Sequence, residues 1–127
     1  MNQLPSLYNV VKVAGRGRGK KLGIPTLNFS IPKTIREPHG IYAGWVHANS
    51  EKYSAAIHFG PRPVFAESDP SLEAYVLNGT ISQDTANFKL ELVSFIREIR
   101  NFPSTEDMVA QIKKDVLAIK KILKLNP

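Results

Sequence analysis

Phe88-Lys89-Leu90-Glu91-Leu92-Val93-Ser94-Phe95-Ile96-Arg97-Glu98 opens with apolar Phe88, Leu90 and Leu92 alternating against Lys89 and Glu91. Side chains on an extended chain point to opposite faces in turn, so this period of two predicts a half-buried β-strand. Upstream, Tyr8 to Ala14, Gly40 to Ala48, Tyr53 to Gly60 and Leu72 to Leu77 are further β-type runs, separated by Gly, Pro, Asn and Asp. A short extended piece is expected near Leu27 to Ile31. Closely spaced strands without intervening helices point to an antiparallel barrel or sandwich. Downstream the period changes. Pro103-Ser104-Thr105-Glu106-Asp107 reads as a helix start with Ser104 as N-cap and Asp107 three residues on. Met108, Val109, Ile112, Val116, Ile119 and Leu123 then recur at helical spacing, so one apolar stripe should lie on the sheet.

The chain has 127 residues, of which 43% are hydrophobic. That suits one domain, residues 1–127, with a single core and no linker or repeat. No apolar run approaches the roughly 20 residues a membrane helix needs. Met1 to Tyr8 lack a charged stretch followed by an apolar one, and no cysteine is present. Disulfides, thiolate metal sites and a cysteine nucleophile are thereby excluded, and a cytoplasmic protein is expected. No His, Asp and Glu cluster has zinc-ligand spacing, and no Ser–His–acid set is recognisable.

The net charge of +6 raises the question of a polyanionic partner. The excess is concentrated in Arg16, Arg18, Lys20 and Lys21, and in Lys113, Lys114, Lys120, Lys121 and Lys124 of the last helix. Lysines late in a helix complement its negative end, and a solvated helix face accounts for the second group. The first group lies in Gly15-Arg16-Gly17-Arg18-Gly19-Lys20-Lys21-Leu22-Gly23-Ile24-Pro25-Thr26-Leu27-Asn28. Glycines at alternate positions let backbone N–H groups approach an anion, and the interleaved cations add charge, as a triphosphate cradle requires. A plain turn, or a Gly-Arg tail that binds RNA, has the same composition. The spacing is not that of a Walker loop. Pro25 restricts one φ angle before Thr26, and Thr26 and Asn28 share a side of an extended segment. Two neutral oxygens there suit Mg²⁺ shared with phosphates, or an Asx or ST turn that caps local backbone.

Leu22-Gly23-Ile24-Pro25-Thr26-Leu27-Asn28 resembles the signature of riboflavin kinases, and the resemblance runs in order through four further stretches. These are Gly40-Ile41-Tyr42-Ala43-Gly44-Trp45-Val46, Gly60-Pro61-Arg62-Pro63-Val64-Phe65, Leu72-Glu73-Ala74-Tyr75-Val76-Leu77, and Phe95-Ile96-Arg97 with the helix after Ser104. It implies a mostly β fold, a six-stranded antiparallel Greek-key barrel with the C-terminal helix packed on it. It implies a phosphotransferase that turns riboflavin and ATP into FMN and ADP with Mg²⁺. Glu73 is implied as the general base, Thr26 and Asn28 as metal ligands, and Gly15, Gly17, Arg18, Gly19, Lys20, Lys21, Pro25 and Thr26 as the nucleotide site. Arg97, Met108 and Ile112 are implied flavin contacts. A monomer is expected, with no membrane or nucleic-acid partner.

The residues around Glu73 speak in part for themselves. Leu72, Ala74 and Val76 share one face of their strand, while Glu73, Tyr75 and Leu77 share the other. An unpaired carboxylate on a buried face is costly, so that face is either wet or equipped to hold the charge. The chain departs from the family at His58, Val64, Asn78, at Gln83, Asp84 and Thr85, and just after Arg97. These positions belong to the acceptor side and the flap. His58 is read as a hydrogen-bonded structural histidine, and Trp45 as barrel core. Two rival functions remain: a flavin or nucleotide binder without catalysis, and a basic RNA-binding barrel. A binder would quench flavin fluorescence without forming FMN, and an RNA binder would show a steep salt dependence.

Overall fold

The computed structural model describes residues 4–125, so the outermost positions of the expected 1–127 domain fall outside it. Seven strands follow in chain order: β1 (Ser6–Val10), β2 (Lys12–Val13), β3 (Leu27–Phe29), β4 (Gly40–Ala48), β5 (Glu51–Arg62), β6 (Glu67–Val76) and β7 (Phe88–Arg97). Among the described residues two α-helices, the single turn α1 (Arg18–Lys21) and the long α2 (Thr105–Ile122), and a 3-10 turn at Pro63–Phe65 complete the fold. All strand pairs are antiparallel, in the order β1-β7-β4-β5-β6-β3-β2. The two ends of that order, β1 and β2, are consecutive stretches of chain separated only by Val11. One strand therefore pairs with β7 through its first half and with β3 through its second. The sheet curls back on itself, and the six strands expected from the sequence become seven only because this one is interrupted.

Alternation sets what lies inside. Tyr42, Val46, Ile57, Leu72, Leu90 and Leu92 are buried in the interior, and Phe29 meets Phe88 edge-on at 5.3 Å between ring centroids. The opposite face of β4 and β5 presents Ala43 and Ala56 to Ile119 of α2, with Tyr75, Leu77, Ile96 and Leu123 packed around them. Helix α2 begins as its sequence predicts, the Ser104 hydroxyl accepting from the Asp107 backbone N–H at 3.1 Å. Trp45 departs from expectation. It shares the outer face with Ala43, is half-buried, and has the Lys52 ammonium 4.4 Å from its ring centroid.

Gly44 lies where β4 shifts register against β7. A Cβ there would stand 2.0 Å from the Glu91 carbonyl oxygen and 2.7 Å from Ile57 Cδ1. Backbone cannot yield as a flexible side chain can, so Gly44→Ala is expected to cost at least about 1–3 kcal/mol through overpacking. Urea unfolding of the variant measures this, and an unchanged midpoint would show that the two strands separate freely.

Candidate active site

Pairing of β3 with β6 sets Asn28 opposite Glu73, and pairing of β5 with β6 sets His58 opposite Glu73 on the other side. Glu73 therefore occupies the middle of three strands on the outer face, beneath the N-terminal half of α2. Its carboxylate is held by three donors. The Thr26 hydroxyl donates to Oε1 at 3.0 Å, Arg62 Nε to Oε2 at 3.0 Å, and the Ser71 hydroxyl to Oε2 at 2.6 Å. Burial alone pushes the carboxyl pKa up, but the Arg62 charge and the hydrogen bonds from Arg62 and Ser71 outweigh it and bring the group down to about 2. Glu73 and Arg62 side chains are only 13% and 17% exposed, so this charge pair is largely out of water.

Two cavities meet at this carboxylate. One is a narrow, mostly apolar slot of about 50 Å³ bordered by His58, Tyr75, Arg97 and Phe102. The other is a cleft of about 570 Å³ beneath the glycine loop, bordered by Gly15, Arg16, Gly17, Arg18 and Gly19, by Asn28, and by the acidic Glu67 and Asp69. Ile24, Thr26, Arg62, Glu73, Met108 and Ile112 line both, forming the wall between them.

The loop over the larger cleft is held from below. Glu67 at the start of β6 forms ion pairs with both Arg16 and Arg18, and the Arg18 guanidinium stacks on Phe65, 4.7 Å from the ring centroid. A Cβ on Gly15 would lie 2.1 Å from Asn28 Nδ2, so a larger residue there would push that amide aside. Asn28 Nδ2 donates to the Thr26 carbonyl at 3.4 Å, which leaves its amide oxygen as the acceptor of that side chain. The donor set thus comprises the Thr26 hydroxyl, the Asn28 amide oxygen and a neighbouring carboxylate. All are hard oxygen donors of the kind Mg²⁺ takes alongside phosphate oxygens. Among the described residues no cluster of three or more His, Cys, Asp and Glu could hold a metal by itself.

Of the residues singled out in the sequence, Gly15, Gly17, Arg18, Gly19, Thr26 and Asn28 line the cleft, and Met108 and Ile112 line both cavities. Lys20, Lys21 and Pro25 are exposed and line neither. Arg97 borders the slot, but its guanidinium is engaged. Nε donates to Asp115 Oδ1 at 3.1 Å and to Oδ2 at 3.0 Å, and Nη2 lies 2.9 Å from Oδ2. His58 is buried, and its Nε2 donates to the Gly60 carbonyl at 2.8 Å. Burial, then the Arg62 charge, lower its pKa to about 4, so the ring is neutral at pH 7. The departing flap positions are occupied locally: Asn78 accepts from the Ser54 backbone N–H at 2.8 Å, and Thr85 accepts from Asn49 at 2.8 Å. None of Asn78, Gln83, Asp84 and Thr85 borders either cavity.

Sequence reasoning missed Arg62, Ser71, Glu67 and Asp115. The first three flank a turn that the residue pattern shows only as a Pro-rich break; the convergence of Arg62 and Ser71 on Glu73 depends on β5–β6 register, and Glu67 pairs instead with Arg16 and Arg18. Asp115 lies within an otherwise apolar helix stripe, and its partner is 18 residues away.

Comparison with known proteins bears on this geometry. The family described as Flavokinase, riboflavin kinase, matches residues 5–123. A human riboflavin kinase is 31% identical over 135 residues, covering 98% of this chain and 85% of that protein. A bifunctional riboflavin kinase/FMN phosphatase of Arabidopsis thaliana is 32% identical over 121 residues, covering 89% of this chain and 32% of that one. A solved structure described as a macrolide-efflux protein from Streptococcus pneumoniae superposes with a TM-score of 0.78 at 23% identity. It covers 91% of this chain and 38% of that one, a likeness of fold alone.

Proposed function

This chain belongs to the riboflavin kinase family, and from that premise we propose that Glu73 is the base through which it passes a phosphoryl group from ATP to riboflavin. The protein is an enzyme that forms FMN from riboflavin. The observation that carries the assignment of roles is the 3.0 Å contact between Thr26 Oγ1 and Glu73 Oε1 in the wall shared by the two cavities. The apolar slot takes the flavin, widening as Met108, Ile112 and Phe102 give way to its three-ring system. The cleft under the glycine loop takes the triphosphate. The terminal hydroxyl of riboflavin then faces the γ-phosphoryl group with Glu73 beside it.

In the transfer, the hydroxyl oxygen forms a bond to the γ-phosphorus. The bond from that phosphorus to the bridging oxygen breaks, and its electron pair leaves with ADP. The hydroxyl proton passes to the Glu73 carboxylate. Such a transfer depends on positioning and charge neutralisation more than on covalent chemistry. Thr26 and Asn28 would hold Mg²⁺, whose charge offsets that of the phosphates. Backbone N–H groups of Gly15 to Gly19, with Arg16 and Arg18, hold the remaining phosphate oxygens. The cysteine-free composition fits a cytoplasmic setting. Incubation with riboflavin, ATP and Mg²⁺ followed by chromatography is expected to yield FMN and ADP in equal amounts. Flavin fluorescence quenching without FMN would reduce the protein to a binder.

Two further outcomes are expected. Thr26→Ala removes one neutral ligand, so the Mg²⁺ concentration for half-maximal rate should rise about tenfold, equivalent to ~1.4 kcal/mol. An unchanged metal titration would contradict the ligand assignment. Glu67 occupies the two arginines that a triphosphate needs, so Glu67→Gln should lower the KM for ATP. Because Arg16 is exposed and Arg18 and Glu67 are only partly buried, the gain should be roughly two- to fivefold and should fade at high salt. A raised KM would instead make Glu67 a support of the loop.

A further inference from the structure

We propose that His58 determines specificity for the acceptor: its Nδ1 accepts a hydrogen bond from the secondary hydroxyl next to the terminal one, so that the slot selects a chain ending in two adjacent hydroxyls. The proposal deepens the kinase reading and rests on the terminal hydroxyl facing Glu73.

His58 is 6% exposed, and its ring borders the slot but not the cleft. Its Nε2 lies 2.8 Å from the Gly60 carbonyl oxygen. A carbonyl oxygen only accepts, so Nε2 carries the ring proton, and this contact assigns the tautomer. The ring is neutral, as burial and then the Arg62 charge require, and Nδ1 therefore offers a lone pair. That atom is buried, and no donor among the described residues reaches it. Neighbouring donors are committed elsewhere. Arg62 Nε and the Ser71 hydroxyl give their protons to Glu73, and Arg97 Nε gives its own to Asp115. Buried polar side-chain atoms as a rule have a hydrogen-bond partner. The fold holds this acceptor for a donor that arrives from outside.

Position decides which donor that is. His58 and Glu73 are direct partners across β5 and β6. Opposite residues of an antiparallel pair share one face, with their Cβ atoms about 5 Å apart. Both border the slot, and Glu73 stands in its wall toward the cleft. An acceptor whose terminal hydroxyl meets Glu73, and whose chain runs back into the slot, brings its next hydroxyl beside the His58 ring. The ribityl chain of riboflavin carries a hydroxyl there. Two adjacent hydroxyls held by two neighbouring strands fix the direction of the chain, which is what transfer by positioning needs. An alcohol with the terminal hydroxyl alone would fill the slot and leave Nδ1 without a partner, and a site built around a substrate hydroxyl rejects such an analogue. His58 is also a position at which this chain departs from the family pattern, so the contact belongs to this chain.

The test compares riboflavin with an analogue that lacks only the secondary hydroxyl next to the terminal one, using the full chain with ATP and Mg²⁺. Wild type is expected to favour riboflavin by roughly 10–100-fold in kcat/KM, the worth of one buried acceptor left unpaired. Two variants separate recognition from support. His58→Gln sets its NH₂ group near the place of Nε2, keeps the donation to Gly60 and puts no acceptor at Nδ1, so its preference should fall below about threefold. His58→Asn gives up the Gly60 contact but sets its amide oxygen near the place of Nδ1, so it should keep most of the preference. A histidine with only a structural role predicts the reverse order, and that result overturns the proposal. A wild-type preference below about threefold overturns it as well, even if neither variant folds; a water molecule held at Nδ1 would give this outcome. Flavin fluorescence quenching repeats the comparison without turnover. If no FMN forms with either acceptor the kinase reading fails, and the ratio of the two dissociation constants then decides the role of His58 by the same limits.

Discussion

Glu73→Gln is expected to lose about 10²–10⁴-fold in kcat, the usual worth of a positioned general base, while riboflavin still binds. The substitution suits the purpose because it preserves shape. The glutamine oxygen can take the place of Oε2 and accept from Arg62 and Ser71. Its NH₂ group then occupies the place of Oε1 and donates to the Thr26 hydroxyl, which can accept as readily as it donates. What disappears is the negative charge and the capacity to take a proton. Arg62 is left without a counter-charge in a site where its side chain is 17% exposed, so a modest fall in Tm should accompany the loss of rate. Rate is measured by FMN formation and affinity by quenching of flavin fluorescence. A kcat within about threefold of wild type would take Glu73 out of the mechanism.

Asp115→Ala should be the most damaging change to stability among the polar residues of α2. Asp115 is 3% exposed and accepts from the Arg97 guanidinium and from Gln111. Burying such a pair is expensive, but removing one partner is worse, because the other charge remains without compensation. The cost is about 3–5 kcal/mol. Against a total stability of about 5–15 kcal/mol and a urea dependence of about 1–3 kcal/mol per molar, the unfolding midpoint should fall by a molar or more. The paired replacement Asp115→Leu with Arg97→Met should recover most of that loss, since it removes both charges. A loss below about 1 kcal/mol in the single variant would place the pair in water, as for an ordinary surface ion pair. Catalysis should suffer as well, because α2 carries Met108 and Ile112, which border both cavities. The KM values for both substrates should rise together.

How far the residues alone reveal this site depends on how locally each part is determined. The alternation of Phe88, Leu90 and Leu92 reports its own burial, and these side chains are indeed interior. Ser104 and Asp107 are three residues apart, and their cap is a local contact. Glu67 to Ser71 lies before the strand expected at Leu72 to Leu77, yet it continues β6 as its more exposed first half. The single turn Arg18–Lys21 has no apolar period to announce it. Backbone contacts hold it, among them Ile24 N–H to the Gly19 carbonyl at 2.6 Å.

Composition, alternation and cap chemistry determine, by themselves, that this chain forms antiparallel strands closed by one amphipathic helix. The quoted motifs tie it to riboflavin kinases. Those signals are legible because each arises from neighbours within a few residues, where backbone geometry fixes which side chains share a face. Only the tertiary structure decides how the Glu73 carboxylate is held. Its partners Thr26 and Arg62 stand 47 and 11 residues away and reach it through strand register, and whether a carboxylate is a solvated surface group or one clamped by donors depends on which charges and donors that register brings beside it.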